Sequence, residues 1–234
     1  MTKALDKSAS LQGHAQRGFS LLELLIAIVI LAVVVAVIVS GVTQLQKTNT
    51  NQAVNVDLTQ QSRQFMDQVV ADLHQAGYPS VTMFDLATSA GNPALYATGL
   101  ISVSSNAIQY EGDVDGTGVS EIFVQLNPAA GPCPCTLRRG AVSKINYLAT
   151  GLGPTYYTEV DGVANLNIFT AYNKAGNVIP MPCGLTAGAY VCADGSAMKN
   201  ITNIGVLLNV RSNVPNPTTG AYTNVTMSTE AQIQ

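Results

Sequence analysis

Hydrophobic and polar positions divide the chain into two unlike parts. From Leu24 to Val39 it reads LLIAIVILAVVVAVIV, with Phe19, Leu21 and Leu22 before this run, Gly41 and Val42 after it, and Glu23 as the one charge inside the stretch. About twenty residues of helix cross a hydrocarbon core, so this segment is predicted to span a membrane. The composition then turns polar, yet no proline occurs before Pro79, and the helix is free to continue. Leu58, Phe65, Val69, Leu73 and Ala76 recur at spacings of seven, four, four and three, and Met66 and Val70 widen the stripe into one amphipathic face. Arg63 and Asp67 stand four apart and are expected to pair on the outer side. Gly77 before Tyr78-Pro79 is a stop signal. A helix over residues 19–76 would be about 85 Å long at 1.5 Å per residue. Ser40-Gly41 is the place where it is expected to loosen, and residues 44–55, rich in Gln, Asn and Thr, are its weakest part.

Beyond Pro79 the pattern shortens to alternating runs separated by Gly, Pro, Asn and Asp, which predicts antiparallel strands. Residues 107–111 and 119–126 flank Gly112-Asp-Val-Asp-Gly-Thr-Gly118 and read as a hairpin. Ile204, Val206, Leu208 and Val210 alternate with Gly205, Leu207, Asn209 and Arg211, so one strand face is apolar, and residues 222–228 are placed to return beside it. The fold class is α+β, a long N-terminal transmembrane and amphipathic helix packed on an antiparallel sheet.

Charge orients this picture. Lys3, Lys7 and Arg17 against Asp6 give the first eighteen residues +2, so the rest carries −5 of the net −3. Basic residues before an apolar span favour a cytoplasmic N-terminus, which puts everything after Val42 outside. An acidic domain repels bare nucleic acid. Charged residues make up only 11% of the chain, while Gly, Asn, Thr, Ser and Ala abound, a balance that suits an extracytoplasmic β-rich domain better than a cytosolic enzyme.

Cys133, Cys135, Cys183 and Cys192 all lie past the apolar run and are disulfide candidates in an oxidising compartment. Their spacing does not match the paired two-residue spacing of common zinc modules. Four cysteines allow three pairings. A bridge inside Cys133-Pro134-Cys135 would be a small strained ring, and one from Cys183 to Cys192 would close a hairpin-sized loop.

A carboxylate inside an apolar span is costly unless something pairs with it. The residues around Glu23 supply a reason, because Arg17-Gly18-Phe19-Ser20-Leu21-Leu22-Glu23 resembles the prepilin peptidase site of type IV pilins and type II secretion pseudopilins. The resemblance implies cleavage after Gly18, N-methylation of Phe19 as the first mature residue, and Glu23 as the assembly carboxylate facing the amine released at Phe19. Residues 63–78, ending Ala76-Gly77-Tyr78, resemble the end of the long helix in PilW-type minor pilins and J-type minor pseudopilins, and residues 201–212 resemble a late strand of that group. Many pilins carry a proline near Ser40-Gly41, and this chain does not.

The resemblance implies a leader over 1–18, a transmembrane helix over 19–43, an amphipathic continuation over 44–78 and an extracytoplasmic β-rich domain over 79–234. It implies a minor type IV pilin that initiates or caps a pilus, with a J-type pseudopilin or a tip adhesin or DNA-uptake module as alternatives. The implied partners are other pilins through the N-terminal helix, prepilin peptidase, the inner-membrane assembly platform and the membrane. The implied location is the inner membrane, single-pass with the domain periplasmic, then the extracellular pilus.

Catalytic chemistry finds no foothold. Cleavage after Gly18 takes His14 away and leaves His74, which sits near a helix C-terminus where a histidine more often caps. There is no serine elbow, zinc helix or phosphate loop, so no enzyme and no cofactor are expected. Asp113, Asp115 and Thr117, with Glu121, copy the first half of a calcium loop, but Val124 stands where the bidentate glutamate belongs, and a bare turn is the favoured reading. Tyr156-Tyr157 and a cluster of Arg138, Arg139 and Lys144 are the surface-binding candidates.

Overall fold

The computed structural model describes residues 20–217 and 219–233. The chain forms two compact units, Met1–Thr48 and Asn49–Gln234. In the first, the described residues form the start of helix α1 (Leu21–Gln75). Ser20 stands just outside it, accepting the Leu22 N–H on its hydroxyl at 3.3 Å and the Leu24 N–H on its carbonyl at 3.1 Å, as an N-cap does. Every residue from Leu21 to Gln46 is exposed within the protein, and the helix is long and apolar enough to cross a membrane. Ser40 and Gly41 do not loosen it. The Ser40 hydroxyl donates to the Val37 carbonyl at 2.9 Å and the Thr43 hydroxyl to that of Val39 at 2.7 Å, so the polar groups there are satisfied by the helix itself.

In the second unit α1 turns one stripe inward. Leu58, Ser62, Phe65, Met66, Val69, Asp72 and Leu73 are buried, and Ala76 just past the helix joins them. The stripe predicted from apolar spacing is therefore the packed face, with two polar residues inserted in it. The helix stops at Gly77, whose φ of +89° suits the left-handed turn that ends helices. Its N–H donates to the Glu111 carbonyl at 2.9 Å, and Ala76 bridges to Gly112. A Cβ on Gly112 would lie 2.8 Å from the Gln75 carbonyl oxygen, so the strand comes this close only because residue 112 is glycine.

The connection holds α2 (Leu86–Gly91), capped by Asp85, whose carboxylate accepts the Thr88 N–H at 2.8 Å. The strands are β1 (Leu100–Val103), β2 (Ala107–Gly112), β3 (Ser120–Asn127) and β4 (Cys135–Ser143), then, after helix α3 (Lys144–Thr150), β5 (Tyr157–Val163). β6 (Phe169–Asn173), β7 (Val178–Ile179), β8 (Cys183–Thr186), β9 (Ala189–Cys192), β10 (Ile201–Pro215) and β11 (Tyr222–Gln232) follow. Among the described residues they form one sheet in the order β7-β6-β10-β5-β4-β3-β2-β1-β8-β9, with β11 also paired to β10. Every pairing is antiparallel.

The predicted hairpin is β2 and β3, and the predicted alternating strand with its return is β10 and β11. Ile204, Val206, Leu208 and Val210 are buried, as are Ile122, Val124 and Leu126 of β3, in one core with the helix stripe. An amphipathic helix packed on a large antiparallel sheet is the α+β arrangement expected.

Candidate membrane and assembly site

Gly18 and Phe19 lie outside the described residues. Glu23 falls in the first turn of α1, three residues after the Ser20 cap, at the head of the exposed apolar run. A carboxylate near a helix N-terminus interacts favourably with the helix dipole.

The charges that organise the second unit are internal, and they correct two expectations. Among the described residues the ion pairs are Arg139–Asp72 and Lys144–Glu111. Arg63 and Asp67 do not pair with one another. Both are exposed, where the Coulomb gain barely offsets the entropy of holding two long side chains. Arg139 and Lys144 are likewise not a surface patch, because each is committed to a buried carboxylate.

Asp72 lies on the inward stripe of α1, and one of its oxygens, Oδ2, accepts from Arg139 Nε at 3.0 Å, Arg139 Nη2 at 2.8 Å and the Tyr110 hydroxyl at 2.9 Å. Helix α1 is thus tied to β2 and β4 through one carboxylate. Burial, and after it the charge of Asp72, pushes the Tyr110 phenol well above its ordinary value, so it stays a donor. Two signals could have exposed this site: the one charge on the inward stripe, at position 72, and Arg139 on the face of β4 that also carries Cys135 and Leu137.

On the other face of β2, Glu111 Oε2 accepts from Lys144 Nζ at 2.7 Å and from the Thr98 N–H at 2.7 Å, while Lys144 Nζ also donates to the Tyr96 carbonyl at 2.9 Å. The ammonium lies 5.0 Å from the Tyr96 ring centroid. This knot closes the segment after α1 onto the sheet.

Glu121 stands directly opposite Glu111 in the β2–β3 register and is 3% exposed. It accepts a hydrogen bond from the Gln109 amide, whereas Lys144 is engaged with Glu111. Burial first, and then the Glu111 charge, raises the Glu121 carboxyl above its ordinary 4.5, against the opposing effects of Gln109 and Lys144. A raised carboxyl favours folding fully below the ordinary value and loses that contribution as pH rises through the value in the fold. Glu121→Gln keeps the shape and the acceptor for Gln109. The variant is therefore expected to melt above the parent at neutral pH, with the gap closing toward pH 4.5, in thermal unfolding scans across pH. A gap that widens on acidification would contradict the assignment.

The calcium reading of the turn loses its fourth member, because Glu121 is bonded to Gln109 within the β2–β3 pair rather than in the turn. Asp115 Oδ1 accepts the Thr117 N–H at 3.0 Å and hydroxyl at 2.7 Å, and Asp113 Oδ1 accepts the Gly118 N–H at 3.1 Å, so the loop bonds to itself. Among the described residues no three His, Cys, Asp or Glu side chains gather as a metal site. Tyr156 packs its edge on Phe123 with centroids 6.5 Å apart, and Tyr157 is exposed.

The cysteines pair as Cys133–Cys135 and Cys183–Cys192. The sequence left three pairings open. Cys183 and Cys192 face each other in the β8–β9 register, and the ring noted as strained forms at the start of β4.

Against known proteins, residues 13–39 match the prokaryotic N-terminal methylation motif, the signal of type IV pilins and pseudopilins. No curated protein and no solved structure matches the chain. The matched span contains Gly18, Phe19 and Glu23 and most of the apolar run. The motif supports a type IV pilin or pseudopilin precursor, and it implies assembly with other pilins, processing by a peptidase and association with a membrane. With the apolar helix it supports a membrane-anchored, pilus-associated protein.

Proposed function

We propose that the chain is a minor type IV pilin, made as a precursor, cleaved between Gly18 and Phe19, methylated on Phe19 and built into a pilus that it initiates or caps. The observation that carries this reading is the run Arg17-Gly18-Phe19 with Glu23 at the head of a continuous apolar helix, joined in one chain to a disulfide-containing sheet domain. Residues 1–18 are the leader, 19–43 the membrane span, 44–78 the amphipathic continuation and 79–234 the domain, which is periplasmic in the precursor and extracellular in the filament. The basic leader sets this orientation.

The helix end at Ala76-Gly77-Tyr78 supports the minor class and is shared with J-type pseudopilins, which form the second reading. Co-purification with pilus or with secretion components separates the two. Of the three cations behind the DNA-uptake alternative, Arg139 and Lys144 are engaged inside the domain, which leaves Arg138 at the surface. The protein's role in this reading is structural, with other pilins contacted through the N-terminal helix.

The test is N-terminal mass spectrometry of the assembled protein, in which methylated Phe19 is expected. An intact Met1 in filaments, or a cut beyond the apolar run, overturns the proposal. Gly18 replaced by a bulky residue is expected to leave the precursor uncut in the membrane.

A further inference from the structure

The two disulfides occupy unlike places. Cys183 and Cys192 are directly opposed partners in the β8–β9 hairpin, are 3% and 5% exposed, and belong to the hydrophobic core. Neither residue offers a nucleophile more than that small exposed fraction. Cys135 is the first residue of β4, 2% exposed, a member of the same core and registered against Val163 of β5, but Cys133 lies outside the strand after Gly131-Pro132 and is only partly buried against that core.

Chain geometry adds a second difference. The Cys133–Cys135 bridge closes the shorter loop, with a sequence separation of 2 against 9, so it constrains the open chain less and its loss releases less freedom. Only Cys135 of the ring is in the ladder, and Cys133 precedes it. The Asn127–Thr136 pairing between β3 and β4, the Thr136 hydroxyl on the Asn127 carbonyl at 3.2 Å, and the Asn106 amide on the Ala129 carbonyl at 2.8 Å all hold the loop without it. Bridges that are strained or accessible are the ones that exchange with thiols, and those buried in a core resist them.

We propose that Cys133–Cys135 is a thiol-exchange site for small thiols, with Cys133 as the attacked sulfur and Cys135 as the resolving one, while Cys183–Cys192 is a structural clamp. A small thiolate attacks Cys133 Sγ. The Cys133–Cys135 bond breaks as the new S–S bond forms, and Cys135 leaves as a thiolate that takes a proton from water. The product is a mixed disulfide on Cys133 and a thiol on Cys135, with no net oxidation. Cys135 can then attack Cys133 Sγ, expel the small thiol and restore the ring, or a second small thiol attacks the mixed disulfide and leaves a dithiol and the oxidised small thiol.

The test uses the full-length protein in detergent, equilibrated in reduced and oxidised glutathione of graded ratio, quenched with acid, alkylated and mapped by mass spectrometry. Cys133 and Cys135 are expected to become alkylated at a poise about ten-fold less reducing than Cys183 and Cys192, with the glutathione adduct on Cys133 and the circular dichroism unchanged. Oxidised glutathione is expected to label Cys133 in Cys135→Ser and to leave Cys135 unlabelled in Cys133→Ser. Concerted opening of both bridges, earlier opening of Cys183–Cys192, an adduct on Cys135, or loss of the fold when Cys133–Cys135 opens would each overturn the proposal.

Discussion

Asp72→Asn is expected to destabilise the sheet domain by about 3–5 kcal/mol, the range for removing one partner from a buried ion pair. The substitution keeps the side-chain volume, so the loss is electrostatic. Arg139 would keep its charge with its side chain 15% exposed and its fork aimed at a neutral amide. The Tyr110 hydroxyl would still find an oxygen, but without charge assistance. Pairing the charge out again separates this from a packing defect: Asp72→Asn combined with Arg139→Met is expected to regain much of the loss, because the stranded cation is gone. Tyr110→Phe removes a single donor and is expected to cost about 1.5–3 kcal/mol, the worth of a hydrogen bond to a charged group. Denaturant titration of the full-length chain in detergent, followed by tyrosine fluorescence, measures all three. A shift under 1 kcal/mol for Asp72→Asn, by contrast with the range above, would mean that water reaches the pair in solution.

Glu23→Gln is expected to leave insertion, cleavage and domain stability unchanged and to deplete the subunit from sheared filaments by about sixty- to three-hundred-fold. On the proposed cleavage after Gly18, the magnitude follows from stranding the Phe19 amine in lipid, where a lone charge costs about 2.5–3.5 kcal/mol and each 1.4 kcal/mol is ten-fold in occupancy. The choice of glutamine is diagnostic. Glu23 stands three residues after the Ser20 cap, the place from which a glutamate or a glutamine can reach back to the cap's N–H. If helix capping were the role of Glu23, Gln would serve as well and filaments would contain the normal amount. Quantitative mass spectrometry of sheared filaments against the membrane pool reads the ratio. Normal incorporation of the variant would remove charge pairing from the account of Glu23 and leave the capping role.

What the sequence determined by itself is what local periodicity and solvent preference can encode. The apolar run, the stop at Gly77, the stripe from Leu58 to Ala76, the β2–β3 hairpin and the alternation in β10 each follow from residues within a turn or a few strand positions of one another. At that range the helical period, the pleat and the φ freedom of glycine act without reference to the rest of the chain. The motif at residues 13–39 is legible for the same reason, being contiguous.

Only the tertiary structure decided the partners of the charges. Asp72 meets Arg139 across 67 positions and Glu111 meets Lys144 across 33, so two residues that read as surface cations became the internal ties of the domain. The neighbourhood of β1 and β8, the opposition of Glu111 and Glu121, and the pairing of the cysteines are decisions of the same kind. Sequence spacing names which groups are present. A buried charge selects its counterion from whatever the sheet order brings within hydrogen-bond reach, and that order is set by how the whole core excludes water.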